Sequence, residues 1–305
     1  MIKYYAAIAT YVNSYNYGSP SINKQKHLGR FIEIINFCTN KFPEKIIQFG
    51  SSDGYTLSRF KKAGSKNVLG VEPSINACRF ALENYGIKSI IGTAEDFEKK
   101  DYYDLIILTH ILEHIYDPLK LLKKLRNNLK DNSHVLIEVP LWERLDKIPV
   151  GILTFEHLNY FCEITLKMLL MKSGFEIIYL TKLFDQVSYP VITVLAKPSS
   201  IDYEVKSNYK ENKNLLIKYL DKERNFWPKI DQKIELSHIK TNGTWIYGAG
   251  IHAAQLLSQS QILKQISING FIDSSPTKWG KEILGYKIIK PDSLKSIPSK
   301  SNIII

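Results

Sequence analysis

Cysteine is scarce in this sequence: Cys38, Cys78 and Cys162 are the only three in 305 residues, and no two form a C-x-x-C pair. That scarcity excludes a disulfide framework and a cysteine-rich zinc module, and it suits a reducing cytoplasm. No run of about 18 uncharged apolar residues occurs, so no membrane-spanning helix is expected. The start, "MIKYYAAIATYVNSYNYGS", has one early lysine and a short apolar patch broken by tyrosines. It lacks a signal-peptide core and a small-residue cleavage site. Basic runs interleaved with aromatics are also missing, which argues against nucleic acid as the partner.

What remains is ordinary globular material, 44% apolar and 23% charged. The length suits two domains, each large enough for a core. The net charge of +11 comes from lysines spread along the whole chain. Such a spread marks a solvated surface, or a field that draws anionic substrates such as nucleotide diphosphates.

The order of patterns is informative. Residues 1–30 are rich in tyrosine, serine and asparagine and read as an arm on the substrate side. "HLGRFIEIINFC" has helical apolar spacing. "KIIQF" is a buried strand that runs into "GSSDG", and the helix "TLSRFKKAG" follows. "NVLGVEP", "SIIGTAEDF", "YDLIILTH" and "SHVLIEVP" are further strands, separated by the helices "INACRFALENYG" and "DPLKLLKKLRNNL". Alternation of this kind implies an α/β fold with a mostly parallel, Rossmann-like sheet over residues 31–197. After the helix "EITLKMLLMKSG", Asp185–Leu195 is expected to close that sheet with a terminal strand. Residues 198–243 are polar, lysine-rich and helical, a connector. A second, smaller Rossmann-like unit over 244–305 begins with "TWIYGAGIHAAQLL" and "INGFIDSS"; its end, "SNIII", stops in a strand pattern and reads as truncated.

Within the first glycine loop, Gly50 and Gly54 follow a strand and precede a helix. There a residue without a β-carbon lets backbone N–H groups approach a ligand. Glu72, about 20 residues on, ends the next strand, where a carboxylate accepts hydrogen bonds from ribose hydroxyls. The G-x-G-x-x-G of nicotinamide enzymes is absent.

The stretches "IIQFGSSDG", "VLGVEPS", "GTAEDF" and "YDLIILTHILEHIYDP" together resemble the class I S-adenosylmethionine-dependent methyltransferases over roughly residues 44–140. The resemblance implies S-adenosylmethionine as cofactor. Gly50, Ser51, Ser52 and Gly54 would line its methionine and ribose. Glu72, with Pro73 beside it, would take the ribose diol. Ala94 and Glu95 would lie near the adenine, although a plain surface loop is the competing reading. Thr109 and His110 would face the sulfonium. Gln48 belongs to the same pocket and stands where those enzymes usually carry an acid.

A second resemblance narrows the substrate. "YNYGSPS", "LEHIYDP", "TFEHLNYFCEITLKMLLMKSGFEI" and the C-terminal "WIYGAGIHAAQLL" and "FIDSSPTKWGKEILGYKI" look like the sugar C-methyltransferases. Those enzymes act on nucleotide-linked 4-keto-deoxysugars in polysaccharide and related biosynthesis, and they usually start with a zinc module that this chain lacks. Carbon beside a ketone must lose a proton before it attacks a sulfonium methyl. A neutral imidazole, with an ordinary pKa of about 6.5, suits that task. His157 is the candidate base, Glu156 a residue that orients it or the sugar, and Tyr15, Tyr17 or His114 a donor to the enolate oxygen. A packed N-terminal arm and a structural His–Glu pair are the competing readings. His27 and His134 are left to the structure or the surface.

His110-Ile-Leu-Glu113-His114 spells H-x-x-E-H, the letters of one zinc-peptidase class. Pro118 opens the next helix, so these histidines sit on a loop or single turn instead of a helix face, and no metal is expected. In the second unit, Gly248, Gly250 and Asp273 could cradle the nucleotide of the substrate. The same scaffold could instead serve packing or a homodimer. Three functions follow: a sugar C-methyltransferase, a sugar O-methyltransferase with the same cofactor site, and a non-catalytic nucleotide-binding or assembly protein.

Overall fold

The computed structural model describes residues 22–154, 156–185, 189–200, 207–234, 243–298 and 301–304. By contacts the chain divides into one unit of residues 1–149 and 154–212 and another of 150–153 and 213–305. Among the described residues no helix is long and apolar enough to cross a membrane.

In the first unit, helix α1 (Ile22–Cys38) leads into β1 (Lys45–Phe49), α2 (Tyr55–Lys62), β2 (Asn67–Glu72), α3 (Ile75–Tyr85), β3 (Ser89–Ile91) and β4 (Tyr103–Thr109). Then follow α4 (Pro118–Arg126), β5 (Leu129–Pro140), α5 (Glu163–Lys172), β6 (Phe175–Leu183) and β7 (Val191–Pro198). The seven strands lie in the order β3-β2-β1-β4-β5-β7-β6. All pairs are parallel except β5–β7 and β6–β7.

Strand alternation explains why both faces are covered. Ile46 points into the cluster with Phe31, Ile35, Leu57 and Phe60 of α1 and α2. Its neighbour Ile47 points into the opposite cluster, with Leu122 and Leu125 of α4 and Leu166 and Leu170 of α5. A short apolar run such as "KIIQF" is therefore buried on both sides, as central parallel strands are. The strand order reverses between β1 and β4, and that switch point opens a crevice beyond their carboxyl ends.

Two expectations need correction. The closing strand is Val191–Pro198 and does not start near Asp185. A nine-residue strand, β6, also precedes it and forms the sheet edge. Pro190 has no N–H to donate to a ladder, which fits a strand start at Val191.

The second unit has helix α6 (Tyr209–Lys233), which begins in the first unit, then β8 (Thr244–Tyr247), α7 (Ile251–Gln259), β9 (Ile268–Ile272), β10 (Glu282–Ile283), β11 (Tyr286–Ile289) and β12 (Asn302–Ile304). Its sheet runs β10-β11-β9-β8-β12 and is parallel except at β10. Ile246, Phe271 and Ile288 form its core.

Candidate active site

The loop after β1 turns through left-handed backbone at Gly50 (φ 64°), Ser52 (φ 48°) and Gly54 (φ 76°). A β-carbon on Gly54 would sit 2.7 Å from that of Ala81, so only glycine fits where α2 begins. Glu72, 5% exposed at the end of β2, accepts the backbone N–H of Ser52 on one oxygen and that of Ser74 on the other, each at 2.9 Å. Burial raises its pKa, and the two N–H groups oppose that rise. Each oxygen keeps a second lone pair. Pro73 is exposed beside it.

Two buried polar atoms at this edge have no partner among the described residues: the Gln48 side-chain oxygen and the Ser51 hydroxyl. Gln48 donates its amide to Thr109 Oγ1 at 3.4 Å and leaves its oxygen as a free acceptor. A buried acceptor of this kind fits the ammonium of an amino-acid cofactor, so glutamine can replace the usual acid. Ala94 is buried and Glu95 half-buried in a turn closed by Thr93 and Asp96. The same turn follows β3, whose end is tied to Glu72 through Gly92 N–H. The backbone cradle, the carboxylate at 72 and the orphaned acceptors together fit S-adenosylmethionine.

His110 takes up a left-handed conformation (φ 55°) just past β4. Its two ring nitrogens each lie 3.4 Å from a buried carboxylate, Glu113 on one side and Glu138 on the other. Burial works against its charge, but hydrogen bonding and attraction from both carboxylates win and lift its pKa to about 10. The ring is thus an imidazolium. Glu138 also receives His27 Nε2 at 2.6 Å, Arg30 at 3.0 Å and the Thr193 hydroxyl at 2.6 Å. Its pKa falls well below the ordinary carboxylate range: these bonds and charges overcome the desolvation that would raise it.

Beyond β4 the H-x-x-E-H letters form a single 3-10 turn, Leu112–His114, and Pro118 then opens α4. Folding brings a distant segment onto this turn. The backbone N–H groups of Leu158 and Asn159 bond to the Glu113 carbonyl at 2.7 and 3.0 Å. The Asn159 amide donates to the carbonyls of Ile115 (2.6 Å) and Leu112 (3.2 Å). His157 is thereby set against His114, ring centroids 4.9 Å apart. Burial lowers the His157 pKa; Glu113 pulls it up, while His114 and His110 push it down further. The net shift is downward, which favours the neutral imidazole.

His114 Nδ1 lies 2.9 Å from the Glu156 carbonyl. A carbonyl can only accept, so Nδ1 carries a proton there. Nδ1 is thereby occupied, and Nε2 is the atom that would face an enolate in the donor role expected of His114. Glu156 contributes that backbone carbonyl. Tyr15 and Tyr17 lie outside the described residues. Glu113, His114 and His157 bring one potential ligand atom each within 4.8 Å of the others. That trio differs from the peptidase pair, and spacing could not reveal it because His157 arrives from elsewhere in the chain. Glu138, Arg30 and Asn159 escaped the sequence reading, and so did the place of His27 in the Glu138 network; Glu113 was met only as a letter of the peptidase motif.

In the second unit Asp273 repeats the plan of Glu72. It accepts the N–H of Ala249 at 2.7 Å and that of Ser275 at 2.8 Å. Gly248 turns through φ 98° and Gly250 caps α7. Lys278 pairs with Asp273 at 2.9 Å and bonds the Ala249 carbonyl, a cation that has no counterpart at Glu72 among the described residues. A ribose here would compete with a formed ion pair.

Residues 24–180, just over half of the chain, match a family described as a methyltransferase domain. Among curated proteins, the tRNA U34 carboxymethyltransferase of Campylobacter hominis is 24% identical over 111 residues, covering 34% of this chain and 39% of that protein. The one from Campylobacter fetus subsp. fetus is 26% identical over 111 residues, with the same shares. The match thus spans about two-fifths of these relatives' length. Among solved structures, an S-adenosylmethionine-dependent methyltransferase from Clostridium acetobutylicum is 14% identical, covers 58% of this chain and 92% of that one, and superposes with a TM-score of 0.47.

Proposed function

Because the chain belongs to the methyltransferase-domain family, with S-adenosylmethionine as its methyl donor, we propose that it methylates a nucleotide-linked sugar at the carbon beside a ketone. The observation that carries this reading is the pair of imidazoles, His157 and His114, beside buried Glu113 at the carboxyl end of β4.

Loop 50–54, Glu72 and Gln48 would hold the cofactor, which when bound supplies the sulfonium methyl. His157 removes the proton from the sugar carbon; its lone pair is available because burial disfavours the imidazolium. The positive charge it gains faces Glu113, which stabilises it in a low-dielectric setting. Asn159 fixes the segment that carries the base, and the remaining task is alignment of carbon and methyl at about 3–3.5 Å. The donor to the enolate oxygen falls to Tyr15 or Tyr17, while Gly248, Gly250 and Asp273 are offered for the nucleotide. Transfer to a sugar hydroxyl would use the same base.

The names of the curated relatives favour a second reading, modification of a tRNA. Mass spectrometry of a nucleotide-sugar panel and of bulk tRNA, each incubated with enzyme and S-adenosylmethionine, separates the two. A mass gain of one methylene on a keto-sugar supports the first. Gain on tRNA alone overturns it.

A further inference from the structure

Glu113 is 1% exposed and its Oε2 has no hydrogen-bond partner among the described residues. His114 has its Nδ1 proton directed to the Glu156 carbonyl, so in the neutral ring its Nε2 presents a lone pair. His157, half-buried, is the third member, and one ligand atom of each residue lies within 4.8 Å of the other two. Lone pairs gathered from a buried carboxylate and two imidazoles are the setting for a cation. We infer that Glu113, His114 and His157 bind one divalent transition-metal ion of the zinc class.

The donor set decides the class of ion. Two imidazoles and one carboxylate suit zinc, cobalt or nickel, whereas magnesium and calcium seek oxygen donors. Three protein ligands leave a fourth position open. Outer partners are already in place: the Glu156 carbonyl fixes the His114 tautomer, and the His110 imidazolium contacts the other Glu113 oxygen at 3.4 Å. Separations of up to 4.8 Å exceed those of a closed tetrahedral site. With metal–nitrogen bonds of about 2.0–2.1 Å, the ligands must close by roughly an ångström. With the backbone beside it held by Asn159, the His157 side chain supplies that movement by turning about its own bonds. His110 takes no part, so the ion does not use the peptidase pair.

An ion here takes the lone pair with which His157 would accept a proton, so metal binding and base action exclude each other. This inhibitory consequence rests on the proposed base role; the binding does not.

The test uses the full-length chain stripped with a chelator. It is titrated with Co²⁺, followed by visible ligand-field absorption, and with Zn²⁺ in competition against a chromophoric chelator. One ion per chain is expected, held about tenfold or more weakly in Glu113→Gln and in His157→Gln. His134→Gln binds like the parent. Melting curves check that buried Glu113→Gln is folded, and His157→Gln tests the site independently at a half-buried position. No stoichiometric binding at micromolar ion, or binding that both variants leave unchanged, overturns the site. Zn²⁺ that abolishes methyl transfer, with recovery on chelation, supports the inhibitory role. Full turnover by the ion-loaded enzyme instead overturns the base role of His157 and leaves the site standing.

Discussion

Glu138 on β5 lies directly opposite Thr193 on β7 and accepts its hydroxyl at 2.6 Å. That antiparallel pairing lets a buried carboxylate serve as the hub for His27, Arg30 and His110. The hub lies where β4 and β5 end, next to the turn that carries Glu113 and His114. A buried charge persists only when it is paired, and removing one partner leaves the others uncompensated.

The pH dependence of stability follows from the two shifts. The carboxyl of Glu138 is depressed on folding, so its contribution is present above the unfolded value of about 4.5 and is lost as pH falls below it. The His110 imidazole is raised to about 10. Its contribution is complete below about 6.5 and is lost as pH rises toward 10. Parent and His110→Gln should therefore differ most in denaturant midpoint between about pH 4.5 and 6.5. A difference that grows toward pH 10 would contradict the ion-pair description.

Cofactor binding should depend on Glu72. With both oxygens also tied to the backbone, Glu72→Gln is expected to weaken S-adenosylmethionine binding by about ten- to a hundredfold, the worth of a charge-assisted hydrogen bond. Calorimetry measures it directly.

Gln48 makes a sharper test of the same pocket. Gln48→Leu removes the orphaned acceptor and should cost about tenfold in cofactor affinity, while Gln48→Glu restores an acceptor and should bind at least as well as the parent. Equal loss in both variants would remove Gln48 from the pocket.

Gly54→Ala should destabilise the fold by about 1–3 kcal/mol, because the left-handed backbone and the contact with Ala81 both oppose a β-carbon. Urea midpoints at fixed cofactor concentration read this out.

Asn159 is a positioning residue, and its effect should divide between the kinetic constants. Asn159→Ala loosens the segment bearing His157 and is expected to lower kcat by about tenfold or more, with the dissociation constant of S-adenosylmethionine unchanged. A kcat loss of about 10²–10⁴ is expected for His157→Gln on the same grounds. Loss of cofactor binding in Asn159→Ala would mean a merely structural role.

The sequence by itself determined the strand–turn–helix frame around the first glycine loop. Buried strands, the glycine turn and an acid at the end of β2 are local features, fixed by backbone freedom and by periodicity within about 30 residues. The edge hairpin was harder to read, because "FEIIYLTKL" and "VITVLAKP" become a pair only through antiparallel contacts that no local pattern announces. Only the tertiary structure decided the chemistry-bearing cluster. His157 meets His114 because Asn159 and two backbone N–H groups dock a distant loop on the 3-10 turn. Glu138 becomes a hub because α1, β4 and β7 converge on it. Contacts between residues far apart in the chain depend on how helices and strands pack, and spacing along the chain carries no record of them.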